Sequence, residues 1–263
     1  MSRVWIVIPA RYASSRFPGK PLVALKGADG MAKSLVQRAW EAAVAVEGVE
    51  RVLVATDDDR IASAVEGFGG TPAMTAALAR NGTERCAEIA GWSDPPDLIV
   101  NLQGDAPLTP PAFVTSLIDT MAADPAIPVT TPVLACSEEA LARFRADRAA
   151  GRVGGTLAVM DAAGRALYFS KEVIPFGADA ATIPAYHHIG VYGYRIEALR
   201  RYADLEPGVL ERAEGLEQLR FLENGIDMRC IVQQEEPGTM FWEVNNPGDV
   251  AVVEEALAAR HIV

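Results

Sequence analysis

The chain has 263 residues, of which 50% are hydrophobic and 22% charged, and its formal net charge is -11 at pH 7. That length is sufficient for a sheet buried on both faces. The negative charge argues against binding to nucleic acid or to an anionic membrane, since either needs a broad positive field. A small anionic ligand held by a few aimed cations is still compatible with this composition.

The cysteines and the apolar runs indicate the cellular compartment of the protein. Cys86, Cys136 and Cys230 are widely spaced and match no metal-binding pattern, which is typical of a reducing compartment. No apolar stretch approaches the ~20 residues of a membrane span, and the first residues read as a strand rather than as a signal peptide. The sequence therefore predicts a cytoplasmic protein with no membrane partner and no nucleic-acid partner.

Strand-like and helix-like runs alternate in the first part of the chain. Apolar strands separated by helices indicate a parallel sheet covered on both faces. Crossovers of this kind are right-handed, so we predict an α/β fold, a Rossmann-like three-layer α/β/α sandwich with a mostly parallel sheet. The predicted elements are strands at Val4 to Ile8, Arg51 to Thr56, Pro72 to Thr75 and Asp97 to Leu102, and helices at Lys33 to Glu47, Asp58 to Phe68 and Thr83 to Ala90.

The pattern changes after about residue 150. Two β-like pieces flank the turn Asp161 to Gly164, and Tyr186 to Tyr194 reads as an aromatic strand. We predict a single domain, 1–263, with a β-rich excursion at about 151–194. The predicted elements that follow are a helix near Glu214 to Glu223, a strand at Met228 to Gln233 and a helix at Pro247 to Arg260.

The run PARYASSRFPGKPL, residues 9–22, follows the first strand directly and carries Arg11, Arg16 and Lys20 but no acidic residue. A Gly/Pro/Ser-rich turn after such a strand exposes backbone N–H groups at the carboxyl edge of a sheet, and three cations can neutralise a polyanion. The run predicts a site for the phosphates of a nucleotide. The alternative is a solvated basic loop.

Two further motifs fall at a helix start and a strand end. In NGTER, residues 81–85, Gly82 allows close approach of the backbone and Thr83 is predicted to cap the helix; the alternative is a capped helix with no further role. In NLQGD, residues 101–105, a buried strand delivers Asp105 just past a glycine. A carboxylate there is a natural ligand for Mg²⁺.

A fourth group of polar residues lies in the second half of the chain, in YHHIGVY and LEQLR. Because neighbouring side chains on a strand point to opposite faces, only one of His187 and His188 can face a given pocket. Glu217 and Gln218 place hydrogen-bonding groups within the predicted helix. A structural histidine is the simpler alternative for His188.

These motifs, together with ALYFSK and the PGT turn at 237–239, occur in an order that resembles the 3-deoxy-manno-octulosonate cytidylyltransferases, the CMP-Kdo synthetases, over about residues 4–255. The resemblance implies a Mg²⁺-dependent transfer of CMP from CTP to an acidic sugar with release of pyrophosphate, in lipopolysaccharide biosynthesis. It also implies a homodimer formed through the β-rich excursion.

The resemblance also implies roles for particular residues. Arg11, Lys20 and Asp105 would be catalytic, and Asp105 and Asn245 would bind the metal. The nucleotide-binding residues would be Arg11, Arg16, Lys20, Asn81, Gly82, Arg85 and Gln103, and the residues that bind the acidic sugar would be Lys171, His188, Tyr192, Glu217 and Gln218.

This chain departs from the family pattern at its metal and acceptor positions. Asn245 stands where relatives carry a metal-binding aspartate, and Glu243 or Asp249 is a possible replacement. Lys171 stands in place of an arginine and lacks the bidentate fork that suits a carboxylate. We therefore expect an acceptor other than ordinary Kdo. The alternatives are a non-sugar acidic acceptor such as a phosphonate, or a CTP-binding protein with impaired turnover.

Overall fold

The computed structural model of this chain describes residues 2–13, 17–234 and 242–263. The strands in this part of the chain are β1 (Val4–Pro9), β2 (Ala24–Lys26), β3 (Ala32–Ser34), β4 (Arg51–Thr56), β5 (Thr71–Met74), β6 (Leu98–Asn101), β7 (Val129–Ala135), β8 (Thr156–Met160), β9 (Ala166–Ser170), β10 (Tyr186–His188), β11 (Tyr192–Arg195) and β12 (Met228–Gln233).

The helices of the described residues lie between these strands and after them. They are α1 (Leu35–Val44), α2 (Asp59–Gly67), α3 (Gly82–Ala90), α4 (Pro111–Ala123), α5 (Glu138–Ala149), α6 (Ile196–Ala203), α7 (Val209–Glu214), α8 (Leu219–Glu223) and α9 (Asp249–Ala259). Among them, none is both long and apolar enough to cross a bilayer.

The chain divides into two compact units. Unit 1 comprises Met1–Thr115 and Glu235–Val263, and unit 2 comprises Ser116–Gln234. The single-domain description with an excursion at 151–194 stays a prediction.

Unit 1 contains a parallel sheet in the order β5-β4-β1-β6. Five consecutive residues of β1, Val4 to Ile8, are buried, as expected for a central strand covered on both faces. The predicted bounds of β4 are confirmed. Helix α1 is shorter than predicted, because Ser34 ends β3 and accepts a hydrogen bond from the Gln37 N–H as the N-cap.

Unit 2 contains a mixed sheet arranged around β7. Strand β12 pairs with β7 in parallel, with the predicted bounds, whereas β10 and β11 pair with it antiparallel. Strands β8 and β9 form the predicted hairpin around the turn at Asp161 to Gly164. Strands β8, β9 and β10 lie within residues 151–194.

Two predicted elements of unit 2 are wrong. The strand from Tyr186 to Tyr194 is interrupted at 189–191, opposite Pro132 of β7, which has no N–H to donate to a neighbouring strand. The helix near Glu214 to Glu223 is also broken. Gly215, with φ +62°, ends α7, and α8 begins at Leu219, so Glu217 and Gln218 lie in the turn between two short helices rather than on a helix face.

Candidate active site

The loop after β1 returns on itself and places Lys20 at the start of a short 3-10 helix. The Gly19 N–H donates to the Tyr12 carbonyl oxygen at 3.0 Å, and Gly19 has φ +72°, a conformation that glycine adopts without penalty. Arg11 is exposed at the beginning of the same loop. Arg16, the third predicted cation, lies outside the described residues.

Lys20 and Asp105 form a close ion pair within unit 1. Lys20 Nζ lies 2.6 Å from Asp105 Oδ2, with side chains that are 16% and 24% exposed. Gly104 makes this contact possible, because a Cβ at that position would lie 2.8 Å from the Pro9 carbonyl oxygen. The turn after β6 is therefore pressed against the end of β1.

The segment before α9 is attached to the same turn. The Val244 N–H donates to the Asp105 carbonyl oxygen at 2.9 Å. Val244 itself is fully buried in a cluster with Leu25, Leu108 and Leu257. The backbone hydrogen bond and the burial of Val244 fix this segment next to Asp105. Asn245 is the residue that follows Val244.

Asp249 anchors this segment. Its carboxylate accepts the backbone N–H groups of Asn245 at 2.8 Å and Asn246 at 2.6 Å, and the indole N–H of Trp242 at 3.2 Å. The Asn245 side-chain amide donates to Glu243 Oε2 at 3.3 Å. The Asp249 carboxylate thus fixes the backbone of this loop. The other side-chain oxygens near Asn245 that could bind a metal are those of Asn245 itself and Glu243.

The donor set near Asp105 suits a hard divalent cation only in part. The described residues contain no group of three histidine, cysteine, aspartate or glutamate side chains able to hold a metal. Mg²⁺ is commonly bound through one or two carboxylates together with substrate phosphates, and it keeps several waters. The Asp105 carboxylate and the Asn245 amide oxygen fit such a shared site.

The start of α3 corrects the predicted cap. Asn81, not Thr83, is the N-cap, because its Oδ1 accepts the Glu84 N–H at 2.8 Å. Close approach at Gly82 is confirmed. A Cβ there would lie 3.1 Å from both Asn101 Nδ2 and Pro9 Cγ, so the NGTER turn packs against the ends of β1 and β6.

Arg85 is buried and joins Asp57 to Thr75 through hydrogen bonds. Its guanidinium donates to Asp57 Oδ1 at 2.8 Å and to Thr75 Oγ1 at 2.5 Å, and the residue is only 3% exposed. Gln103 is half-buried beside Asp105 in sequence. Sequence reasoning missed Asp57, although three consecutive aspartates directly after β4 mark the carboxyl end of that strand.

In unit 2, His188 lies in the core beside Thr131. Thr131 Oγ1 is 2.8 Å from the Val191 carbonyl oxygen and 3.0 Å from His188 Nε2. The hydroxyl has one proton. If the Thr131 hydroxyl donates its hydrogen bond to the Val191 carbonyl oxygen, His188 must donate from Nε2 to the hydroxyl oxygen, and Nδ1 remains an acceptor.

Burial decides the charge of this histidine. Its side chain packs against the rings of Phe169 and Tyr192, and the residue is 7% exposed. Burial, and secondarily the neighbouring His187, lowers the pKa of His188 to about 3. The imidazole is therefore neutral near pH 7, and it can offer a hydrogen bond but no positive charge.

Tyr192 and Gln218 are hydrogen-bonded to each other in the same unit. The Tyr192 hydroxyl donates to Gln218 Oε1 at 3.3 Å. Gln218 is 2% exposed, and its Nε2 has no hydrogen-bond partner among the residues that the structure describes. A buried amide donor without a partner costs about 1–3 kcal/mol.

Lys171 follows β9 and is fixed by Glu214, which sequence reasoning missed. The Lys171 backbone N–H donates to Glu214 Oε2 at 2.9 Å, and the Ser170 hydroxyl donates to Oε1 at 2.6 Å. Glu217 is half-buried, and its carbonyl oxygen accepts the Tyr202 hydroxyl at 3.3 Å. No residue-type pattern marks Glu214, because its partners come from a distant strand.

The predicted site residues thus fall into two sets, one in each unit. The first set, in unit 1, is Arg11, Lys20, Asn81, Gly82, Arg85, Gln103, Asp105 and Asn245. The second set, in unit 2, is Lys171, His188, Tyr192, Glu217 and Gln218. Lys20 contacts Asp105 directly, and Tyr192 contacts both His188 and Gln218.

Comparisons with known proteins agree with the motifs in both units. A family model described as cytidylyltransferase matches residues 5–229. The chain is 46% identical to the 3-deoxy-manno-octulosonate cytidylyltransferase of Maricaulis maris, over 98% of each chain. It is 40% identical to the protein of the same name from Myxococcus xanthus, again over 98% of each chain.

A solved structure supports the same assignment. The fold matches CMP:2-keto-3-deoxy-manno-octonic acid synthetase complexed with CTP, with a TM-score of 0.85 and 36% identity over 98% of this chain and 100% of that one. The predicted α/β fold class with a mostly parallel sheet is confirmed by this match. The chain belongs to the 3-deoxy-manno-octulosonate cytidylyltransferase family and is a nucleotidyltransferase that uses CTP.

Proposed function

We propose that this protein transfers CMP from CTP to an acidic sugar, Kdo or a Kdo-like acid, with Mg²⁺ as cofactor and pyrophosphate as the second product. The observation that carries the proposal is the Lys20 to Asp105 ion pair after β6, at 2.6 Å. It joins a phosphate-binding cation to a cation-binding carboxylate at the carboxyl ends of β1 and β6, where α/β sheets bind nucleotides.

The unit 1 set is assigned to CTP. Arg11 and Lys20 stabilise the charge of the triphosphate, and Arg16, outside the described residues, is proposed to act with them. Gly82 lets the NGTER turn pack closely against Asn101 and Pro9, at the strand ends where the nucleoside is proposed to bind. The remaining nucleotide-binding residues are Asn81, Arg85 and Gln103.

Asp105 and Asn245 are assigned to the divalent cation. When bound, Mg²⁺ neutralises charge that develops on the phosphate oxygens. Asp105 supplies the carboxylate, and its contact with Lys20 fixes the direction of that group. Asn245 brings an oxygen without a negative charge, so we expect a weaker site than one with two carboxylates.

The unit 2 set is assigned to the acceptor. The buried Gln218 Nε2 has no partner among the described residues, so an acceptor oxygen would satisfy it. His188 acts as a neutral hydrogen-bonding group because its pKa is lowered to about 3. Lys171 provides the positive charge for an acidic group, and Tyr192 and Glu217 complete the set.

In the proposed reaction, a hydroxyl oxygen of the acceptor attacks the α-phosphorus of CTP. The new P–O bond forms as the bond to pyrophosphate breaks, the hydroxyl proton passes to solvent, and charge increases on the leaving group. Arg11 and Lys20 stabilise that charge, and orientation of the two substrates supplies much of the remaining rate. Within the chain, no covalent nucleophile is required.

We also propose a homodimer formed through the β-rich excursion of a single domain. Phe176 is fully exposed in unit 2, Leu167 is 62% exposed and Val153 is 58% exposed. All three belong to the predicted excursion, and large apolar side chains that are exposed to solvent are candidates for an association surface.

A non-sugar acidic acceptor, such as a phosphonate, is the second candidate. The observation that favours it is Lys171, since an ammonium acts as a point charge and does not require the planar geometry of a carboxylate.

The test is pyrophosphate release from CTP and Mg²⁺ across a panel of Kdo, sialic acid and phosphonates, with the nucleotidyl product identified by mass. Release with an acidic sugar would support the first proposal, and release with a phosphonate alone would replace it with the second. If the protein binds CTP but releases pyrophosphate with no member of the panel, both proposals would be overturned.

A further inference from the structure

The Glu214 carboxylate accepts hydrogen bonds from three donors at the end of β9. Ser170 Oγ donates to it at 2.6 Å, the Lys171 backbone N–H at 2.9 Å and the Tyr168 hydroxyl at 3.4 Å. Ser170 is 3% exposed. These bonds join the last residues of β9 to the last residue of α7, so the backbone of Lys171 has a defined position relative to the following Gly215.

Gly215 contacts the side chain of the same lysine. It adopts a left-handed conformation with φ +62°, and a Cβ at this position would lie 3.1 Å from Lys171 Nζ. The ammonium therefore lies against bare backbone. A Cβ at position 215 would require the ammonium to shift by a few tenths of an ångström, and a longer side chain would compete with it for the same space.

The Lys171 ammonium has no counter-ion in the part of the chain that the structure describes. It is half-buried there, and Nζ makes neither a hydrogen bond nor an ion pair with a described residue, even though the chain carries a net charge of -11. A partly buried charge without a partner is unfavourable unless a ligand compensates it. An anion is the ligand class that does so.

We propose that Glu214 and Gly215 are positioning residues for Lys171 and that together they determine which anionic acceptors the protein uses. Glu214 fixes the backbone of Lys171, and Gly215 leaves the space in which the ammonium lies. This inference rests on the proposed function, in which Lys171 meets the acidic group of the acceptor.

The test uses two glycines of unit 2 that share a backbone conformation. Gly225 has φ +66°, and no atom lies within 4 Å of a Cβ built on it. Asparagine is among the non-glycine residues that best tolerate this conformation. Gly215→Asn and Gly225→Asn therefore impose similar backbone strain but differ in their contact with Lys171.

We expect Gly215→Asn to raise the acceptor KM about tenfold or more, since misplacement of a positioning contact is costly. Its kcat and its CTP dissociation constant should stay within about twofold of the wild type, as should all three constants of Gly225→Asn. Equal acceptor KM values for the two variants would overturn the proposal. Gly215→Ala, which makes the same contact with a smaller group, replaces Gly215→Asn if that variant does not fold.

A double-mutant cycle tests whether the effect acts through the lysine. In a Lys171→Ala background, Gly215→Asn should leave the acceptor KM unchanged, because the ammonium that it displaces is absent. A rise as large as in the wild-type background would show that position 215 acts by another route, and the positioning role would be wrong.

A spectroscopic measurement separates this inference from the proposed function. The chain contains four lysines, Lys20, Lys26, Lys33 and Lys171. Protein with isotope-labelled lysine therefore gives four side-chain signals in an NMR spectrum, and the signal that disappears in Lys171→Arg belongs to Lys171. Gly215→Asn should shift the Lys171 signal, and Gly225→Asn should not. A shift without turnover of any acidic acceptor would refute the proposed function alone, whereas no shift would refute the positioning role.

Discussion

The two sets of site residues differ in how they carry charge. In unit 1, charged side chains meet at strand ends. The 2.6 Å contact between Lys20 and Asp105 is partly exposed, and the pairing of Arg85 with Asp57 is more deeply buried. In unit 2, the side chains that contact one another are neutral and buried. His188 is hydrogen-bonded to Thr131, and Tyr192 is hydrogen-bonded to Gln218. Exposed charges suit a polyanion that changes during the reaction, and fixed dipoles suit recognition of hydroxyl positions.

The largest effect should come from removing charge in unit 1. We expect Asp105→Asn to lower kcat roughly a hundredfold to a thousandfold, since the carboxylate fixes Lys20 and supports charge stabilisation in the transition state. CTP binding, measured by calorimetry without metal, should change much less. Asp119→Asn, at an exposed position on α4, is the matched control, and near-normal turnover of Asp105→Asn would exclude the assigned role.

A smaller effect, limited to the acceptor, should come from removing a dipole in unit 2. Tyr192→Phe deletes the hydroxyl that donates to Gln218 Oε1. We expect the acceptor KM to rise about fivefold, because a net hydrogen bond contributes roughly 1 kcal/mol, with no change in the CTP KM. Tyr186→Phe on β10 is the control. A parallel rise in the CTP KM would show that the two sets do not divide the substrates between them.

The last effect concerns stability rather than catalysis and tests whether His188 is neutral. Its pKa is lowered to about 3 by burial, while an unfolded histidine titrates near 6.5. Between these values the unfolded chain binds the extra proton, so the free energy of unfolding should fall as pH decreases from about 6.5 to 3. The slope contributed by one imidazole is about 1.4 kcal/mol per pH unit.

Denaturant titrations at several pH values measure this slope. His188→Gln should reduce it, whereas His261→Gln, at an exposed position, should leave it unchanged. An equal slope in wild type and His188→Gln would mean that His188 is not the buried neutral group described above.

Strand ends were the most predictable part of the site. The apolar runs of β1, β4 and β6 fix where their carboxyl ends lie, and Lys20 and Asp105 follow from that placement. In contrast, β7 contains Pro132 directly after two threonines, and a proline within a run argues against a strand. No element was predicted over β7 or the helices on either side of it.

Contacts between distant segments could not be predicted from one sequence. The pairing of Arg85 with Asp57, of His188 with Thr131 and of Lys171 with Glu214 joins residues that are 28, 57 and 43 positions apart. Their residue types are compatible with many partners. The break between β10 and β11 likewise depends on the strand that lies opposite, and local propensity does not contain that information.

The burial of all three thiols has a practical consequence for labelling. Cys86, Cys136 and Cys230 are free and buried, and burial raises the pKa of Cys230 to about 12. Thiolates react, so native thiols of this kind should react slowly with maleimides. A cysteine introduced at an exposed position outside the proposed association surface, such as Asp119, would then accept a fluorophore selectively, and energy transfer between labelled copies would report on self-association.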